Sequence, residues 1–83
     1  MRLAKNVKFR EEKFGGVLFE TRSEKVFTLN PTAAAIVREI QAGRAEREIG
    51  RALKERFDGG DGVIETEVDA FIAALRLQGL TDE

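Results

Sequence analysis

The sequence predicts a small α+β domain in which short antiparallel strands come first and helices follow. Over residues 1–29 the apolar side chains show little helical spacing and mostly alternate with polar ones, which is typical of half-buried strands. Beyond Asn30 they recur at spacings of three and four, which is typical of amphipathic helices. Asn30 and Pro31 mark the boundary, because asparagine caps a helix and proline fits its first position.

Composition restricts the classes of function. The 83 residues suit one domain, 1–83, and a hydrophobic content of 42% indicates a folded chain. Fourteen basic and fifteen acidic residues give a net charge of −1, so nucleic acid and anionic membranes are not general partners. Cysteine and histidine are absent, which argues against disulfides and against zinc, haem or iron–sulfur ligation. Without an apolar signal segment or an 18-residue apolar span, we expect a cytoplasmic domain with no metal or cofactor.

Three strands are predicted before Asn30, at residues 7–10, 17–20 and 25–29, which are rich in β-branched and aromatic residues. The polar residues 21–24 form a hairpin loop between the last two strands. A three-stranded meander has two open edges, and an open edge offers unpaired N–H and C=O groups to an extended chain.

The same alternation predicts which side of the sheet meets the core. The predicted inward-facing residues are Val17, Phe19, Phe27 and Leu29. Val26 and Thr28 would then point the other way. The glycine pair at 15–16 permits a bulge or a close approach of two backbones. Residues 1–6 are expected to be a frayed start, and residues 81–83 a tail.

Three helices are predicted after the sheet. The first runs from the Asn30 cap to Gly43, the second spans residues 45–57, and the third spans residues 64–78 with Gly79 as its cap. Their apolar faces are predicted to be Ala33, Ile36, Val37 and Ile40, then Ala45, Ile49, Ala52, Leu53 and Phe57, then Ile64, Val68, Phe71, Ile72 and Leu75. Leu80 is expected to fold back over the end of the third helix. The glycine-rich residues 58–62 break the pattern as a loop, and their acidic spacing does not fit a calcium site.

Two surface stripes follow from helical spacing. A basic stripe is predicted on the second helix, at Arg44, Arg47, Arg51 and Lys54. It is either a solvated face with the pairs Arg44–Glu48 and Arg51–Glu55, or a docking surface for an acidic partner. A weaker apolar stripe lies opposite the core face of the third helix, at Ala70, Ala73 and Leu77. It either lets another backbone approach closely or consists of helix-favouring alanines with one exposed leucine.

The sequence resembles the PqqD family. The matching segments are residues 29–37, LNPTAAAIV, and 67–80, EVDAFIAALRLQGL. Between them, residues 43–57 are similar to the family segment G-x-x-x-x-E-I-x-x-x-L-x-x-x-[FY]. Residues 12–19, EKFGGVLF, are similar to versions found beside radical SAM peptide-modifying enzymes, including the mycofactocin-type member. The similarity covers residues 7–80.

The resemblance implies a winged helix-turn-helix-like peptide chaperone, also called a RiPP recognition element. Such a domain binds the leader of a ribosomally synthesised precursor peptide and presents it to a radical SAM iron–sulfur maturation enzyme. The leader adds as a strand to the third strand and lies against the third helix. Helical angles and the open edge then predict a site of nine residues: Lys25, Val26, Phe27, Thr28, Asp69, Ala70, Ala73, Arg76 and Leu77. Iron–sulfur and S-adenosylmethionine cofactors would belong to the partner enzyme.

Ala45 departs from the family pattern, because many members carry a capping threonine at this position. The alanine weakens the cap of the second helix and leaves the function untouched.

Other interpretations stay open. A winged helix DNA-binding protein is disfavoured, because Glu65, Glu67 and Asp69 open the third helix where phosphates would lie. A chain without His, Cys or Tyr also lacks the usual groups for acid–base catalysis, so we predict no enzyme. A structural interaction module is a further alternative. We expect a monomer, with pairing through the sheet edges as the other option.

Overall fold

The structure is a computed structural model that describes residues 1–57 and 63–82. Over these residues the chain order is β1 Arg2–Leu3, β2 Val7–Glu12, β3 Gly15–Glu20, β4 Lys25–Leu29, α1 Pro31–Gln41, α2 Glu46–Arg56, α3 Val63–Leu77 and β5 Thr81–Asp82. The predicted α+β domain, with a three-stranded antiparallel sheet followed by three helices, is confirmed. The loop predicted at residues 58–62, and Glu83, lie outside the described residues.

The three-stranded sheet has the order β2-β3-β4 and is antiparallel throughout. Leu18 lies opposite both Phe9 and Phe27, and Val7 lies two residues before Phe9 on the same face. Directly opposed residues of antiparallel strands share a face, so these side chains point to the core together. Leu18 is completely buried, and Leu29 at the end of β4 is also buried.

The predicted facing of β3 is wrong by one residue. Val17 is only partly buried and Phe19 is exposed, whereas Leu18 between them is buried. Phe19 lies opposite Val26, so it shares the outer face of the sheet, as predicted for Val26 itself. The error has a simple physical cause. Three apolar residues in a row fit either face, and the register with the neighbouring strands then decides which residue points inward.

The glycine pair permits a close approach, as predicted. Gly15 has a φ of +140°, and a side chain there would collide with the carbonyl oxygen of Leu29. A Cβ on Gly16 would lie 2.6 Å from Cε1 of Phe9, which packs over this glycine. The end of β4 therefore lies closely against the start of β3.

Residues 2–3 and 81–82 are strands, so the predictions of a frayed start and of a tail are wrong for them. Arg2 lies opposite Asp82 in an antiparallel pair, and their side chains are 3.4 Å apart. The Ala4 N–H donates to the Leu80 carbonyl at 2.9 Å. The cause is Gly79, whose φ of +72° turns the chain back, and Leu80 is buried at the end of α3 as predicted.

The helix boundaries follow local chemistry. Asn30 caps α1, because its Oδ1 accepts a hydrogen bond of 2.8 Å from the Ala33 N–H. Pro31 is the first helical residue, and Gly43 follows the helix with a φ of +85°. Ala45 occupies the cap of α2 without a side-chain hydrogen bond, as the missing threonine predicts.

The core lies between the inner face of the sheet and the three helices. Most of the predicted apolar faces are confirmed, since Ile36, Val37, Ile40, Ile49, Leu53, Ile64, Val68, Ile72 and Leu75 are all buried. Ala45, which was predicted to face inward, is exposed. Phe71 is only half-buried, because it lies at the margin of the inward face of α3.

Candidate functional site

Strand β4 forms an open edge of the sheet. One side of it pairs with β3 over Lys25–Leu29, and the other side pairs with no strand within residues 1–57 and 63–82. Its side chains alternate, with Val26 and Thr28 exposed on the outer face and Phe27 half-buried on the inner face. An extended chain could therefore bind this edge through main-chain hydrogen bonds.

A groove between α1 and α3 begins where β4 ends. Its cavity has a volume of about 230 Å³. It is lined by Asn30, Thr32, Ala33 and Ile36 from α1 and its cap, and by Glu67, Ala70 and Phe71 from α3. Asn30 directly follows the last residue of β4, so the edge and the α1–α3 groove form one continuous surface.

The opposite flank of α3 faces α2 and has a different character. Here a larger cavity of about 720 Å³ is lined mainly by charged residues: Glu46, Arg47, Arg51, Lys54, Glu65 and Asp69, with Ala45 and Gly50. Arg76 forms a salt bridge with Glu46 of α2 on this flank. We call this surface the α2–α3 groove.

The nine residues predicted for the site therefore fall on two sides of α3. Ala70 lines the α1–α3 groove beside the end of β4, whereas Asp69 lines the α2–α3 groove and Arg76 pairs across it. Ala73 and Leu77 are exposed, and Leu77 has 86% of its surface open to solvent. Within this set, Lys25, Val26, Phe27 and Thr28 lie together on β4.

Sequence reasoning missed two α3 residues of the α1–α3 groove. The sequence pattern predicts Phe71 in the core and indicates Glu67 only as an acidic residue near the start of the helix. Both flank the buried residues Val68 and Ile72 on the side of α3 that faces α1. The half-buried position of Phe71 could have been recognised from its angle on the helix.

The basic stripe on α2 is partly neutralised. Arg44 pairs with Glu39, and Lys54 lies 3.7 Å from Glu65. Arg47 and Arg51 are exposed and form no salt bridge within the described residues. The predicted pairs of Arg44 with Glu48 and of Arg51 with Glu55 are therefore wrong for this structure. Glu39 is the better partner for Arg44, because its side chain is largely buried. It also forms a salt bridge with Arg56, with Nη1 of Arg56 3.5 Å from Oε2 of Glu39.

The hairpin that leads into β4 is held by a carboxylate. Glu20 accepts hydrogen bonds from the Ser23 hydroxyl at 2.7 Å, from the Arg22 N–H at 2.7 Å and from the Ser23 N–H at 3.0 Å. The Ser23 hydroxyl and the Arg22 N–H hold the pKa of Glu20 below its ordinary value, because they stabilise the charged form. These bonds fix the loop before the open edge.

Residues 1–57 and 63–82 contain neither a candidate metal site nor a helix that could span a membrane. No group of three or more acidic, histidine or cysteine side chains is arranged to hold a metal ion there. In the same ranges, none of the helices combines the length and the apolar character that crossing a bilayer requires.

The fold and the surface define a class of protein, namely a small α+β domain with an open sheet edge beside a helix-lined groove. Residues 15–80 match the family described as coenzyme PQQ synthesis protein D (PqqD). The chain belongs to the PqqD family, and the resemblance noted in the sequence is confirmed.

Two solved structures have a similar fold. One is a lasso peptide synthetase B1 complexed with the leader peptide, at 25% identity and a TM-score of 0.80, covering 95% of this chain and 93% of that chain. The other is TbiB1 in complex with the TbiA(beta) leader peptide, at 20% identity and a TM-score of 0.84, covering 96% and 93%. In a sequence comparison with curated proteins, none matches this chain.

Proposed function

We propose that this domain binds the leader of a ribosomally synthesised precursor peptide by strand addition to β4 and presents it to a radical SAM maturation enzyme. The observation that carries the proposal is the edge of β4, which pairs with no strand among the described residues and leads into the α1–α3 groove with its apolar residues Ala33, Ile36, Ala70 and Phe71. Membership of the PqqD family supports it, as does the similarity to a lasso peptide synthetase B1 that is complexed with a leader peptide.

In this proposal the main chain of β4 provides affinity and the groove provides selection. Lys25, Val26, Phe27 and Thr28 supply the edge, and a strand added there places alternate side chains over the inner margin of the sheet. Those side chains would meet Phe27 and then the α1–α3 groove, where Ala70 and Phe71 offer apolar contact.

The other four predicted site residues would contact the peptide to different degrees. Ala73 and Leu77 would extend the apolar floor along the exposed ridge of α3. Asp69 and Arg76 lie beyond that ridge, on the side of α2, and would contact only a peptide that crosses the helix. The α1–α3 groove is therefore the centre of the proposed site.

The domain acts here as a binding and delivery module that performs no chemistry itself. The radical SAM enzyme would supply its own iron–sulfur and S-adenosylmethionine groups. Arg44, Arg47, Arg51 and Lys54 are the proposed contacts with an acidic surface of that enzyme. Arg47 and Arg51 would pair first, because Arg44 and Lys54 would have to leave Glu39 and Glu65.

The test is a titration of ¹⁵N-labelled protein with the synthetic leader of a small precursor peptide encoded beside this protein. We expect shifts concentrated on β4 and on the side of α3 that faces α1, with saturation at low micromolar peptide or below. Ala70→Arg should weaken binding by at least about tenfold, because a long charged side chain would fill the apolar groove. Ala42→Arg is the matched control, since this exposed alanine lies at the other end of α1.

Two outcomes would contradict the proposal. One is the absence of shifts with the leader. The other is equal weakening by both variants, which would place binding outside the α1–α3 groove. A parallel titration with duplex DNA should leave the spectrum unchanged, because Glu67 and Asp69 are exposed acids on α3. Shifts along α2 with DNA would favour a nucleic-acid partner instead.

A further inference from the structure

We infer that the outer face of the sheet is a second recognition surface for the bound peptide, formed by Val26 and Phe19 on the side opposite the α1–α3 groove. This inference rests on the proposed function and adds a specificity determinant to it. It means that the peptide is read on both faces of the strand it adds.

Val26 and Phe19 form an exposed apolar pair. They lie directly opposite each other on β4 and β3, and they are 59% and 36% exposed. Together with Val17 they line a shallow cavity of about 350 Å³, whose rim includes Lys8 and Arg10. Exposure of a large aromatic ring beside an exposed valine, on a face that no described helix covers, is typical of an interaction surface.

Strand geometry connects this patch to the open edge. Successive side chains of a strand point to opposite faces, so half the side chains of an added strand must project over the outer face. Opposed residues of neighbouring strands have Cβ atoms about 5 Å apart. The outward side chains of the peptide would therefore lie beside Val26 and Thr28, and the Phe19 ring would form the next row of contacts.

The charge distribution favours a peptide over a second copy of this chain. Residues 1–29 contain seven basic and four acidic residues, a net charge of +3, whereas residues 30–83 contain seven basic and eleven acidic residues, a net charge of −4. On the rim of the patch Lys8 has no salt bridge within the described residues, and Arg10 already holds Glu12 at 2.6 Å. Face-to-face pairing of two copies would bring the Lys8 ammonium groups of the two copies close together.

The expected ligand is therefore a leader with apolar residues on both faces of its strand segment. Such a segment has two or more consecutive apolar residues, since strict alternation would leave one face polar. Acidic residues near its ends would suit the cationic half of the domain. A leader that alternates strictly would contact the inner groove alone and would bind less tightly.

The test uses the same synthetic leader with three protein variants. Val26→Thr and Phe19→Thr should each weaken binding by about three- to tenfold, because one apolar contact is lost while the main chain of the edge is kept. Val63→Thr is the matched control, since this valine is 49% exposed at the start of α3 and lies off the sheet. In the labelled complex, intermolecular NOEs should join a peptide side chain to the Val26 methyl groups.

The possible results separate the two proposals. If the wild-type protein does not bind the leader, the proposed function fails and the inference fails with it. If the wild-type protein binds and Val26→Thr binds equally well, without NOEs to Val26, only the outer surface is refuted. Self-association of the free protein in sedimentation that Phe19→Thr abolishes would assign the patch to a second copy and overturn the inference.

Discussion

Leu18 and Phe19 are neighbours in the chain but lie on opposite faces of the sheet. Leu18 is completely buried against α1 and the adjacent strands, whereas Phe19 stands on the outer face with 36% of its surface exposed. The inner face is closed by helices, and the outer face has no cover among the described residues. The larger apolar side chain is therefore the exposed one, which is the reverse of what stability alone would favour.

The difference separates two kinds of apolar residue. The inner set fixes the fold, because its members pack against each other and against α1. The outer set, Val17, Phe19 and Val26, contributes less to stability and leaves an apolar surface beside the open edge. In a domain of this size, apolar area left exposed next to an open strand edge is more informative about binding than the core is.

Truncation of the two neighbours should give the largest contrast. We expect Leu18→Ala to lower the free energy of unfolding by about 2–5 kcal/mol, because it leaves a cavity in the core. Phe19→Ala should lower it by less than about 1 kcal/mol, because among the described residues its ring is not one of the side chains packed against the core and contributes mainly cross-strand packing. Urea denaturation followed by far-UV circular dichroism measures both.

These two variants can contradict the comparison between the inner and outer faces of the sheet. If Phe19→Ala costs as much stability as Leu18→Ala, the ring belongs to the core and the outer face is not an open surface. If Leu18→Ala costs little, the register of β3 differs from the one described. The loss for Leu18→Ala is a large fraction of the stability of a small domain, so peptide binding should be compared only below the onset of unfolding.

Much of the fold was predictable because local chemistry determines it. Asn30 and Pro31 start α1, and Gly43 and Gly79 follow α1 and α3 with positive φ angles. The facing of β3 was not predictable, because its apolar run fits both faces and only pairing with β2 and β4 selects Leu18. The pair of β1 with β5 was also missed, because it joins the two ends of the chain and no local pattern specifies such a contact.

The candidate site was predicted in part for a related reason. The order of the elements predicts that the third strand has an open edge. In the structure, one edge of β4 pairs with no strand among the described residues. Helical angles identify the outer half of α3 but do not say which neighbouring helix each flank faces. Ala70 and Asp69 are adjacent in sequence, yet one lines the α1–α3 groove and the other the α2–α3 groove. That assignment depends on how the helices cross, which the sequence pattern does not contain.

The junction between β4 and α1 provides a second test, which concerns the helix cap on the inner side of the sheet. Asn30→Ala should lower the free energy of unfolding by about 1 kcal/mol, because the Ala33 N–H loses its acceptor at the start of α1. Asn30→Asp is the matched control, since aspartate also caps a helix and its charge suits the helix N-terminus. Thermal denaturation of the three proteins measures the difference. Equal stability of both variants would show that the cap does not hold α1.

The smallest effect is expected at the hairpin before β4. The pKa of Glu20 lies below its ordinary value, with the Ser23 hydroxyl as the largest cause. A lowered pKa in the folded state means that the carboxylate stabilises the hairpin above the pKa of the unfolded chain, and that this contribution is lost as the pH falls through the folded pKa. Ser23→Ala should raise the pKa of Glu20 towards the ordinary value and weaken that acid dependence.

A carboxyl ¹³C NMR titration measures this pKa directly. Thr21→Ala is the matched control, because the Thr21 hydroxyl donates to the Asn6 carbonyl at 3.2 Å instead of to Glu20. An equal change of the Glu20 pKa in both variants would contradict the hydrogen-bond explanation. A selective change in Ser23→Ala, together with weaker leader binding at neutral pH, would show that the loop positions the edge of β4. In that case a polar contact at the end of the sheet contributes to the affinity of the open edge for the leader.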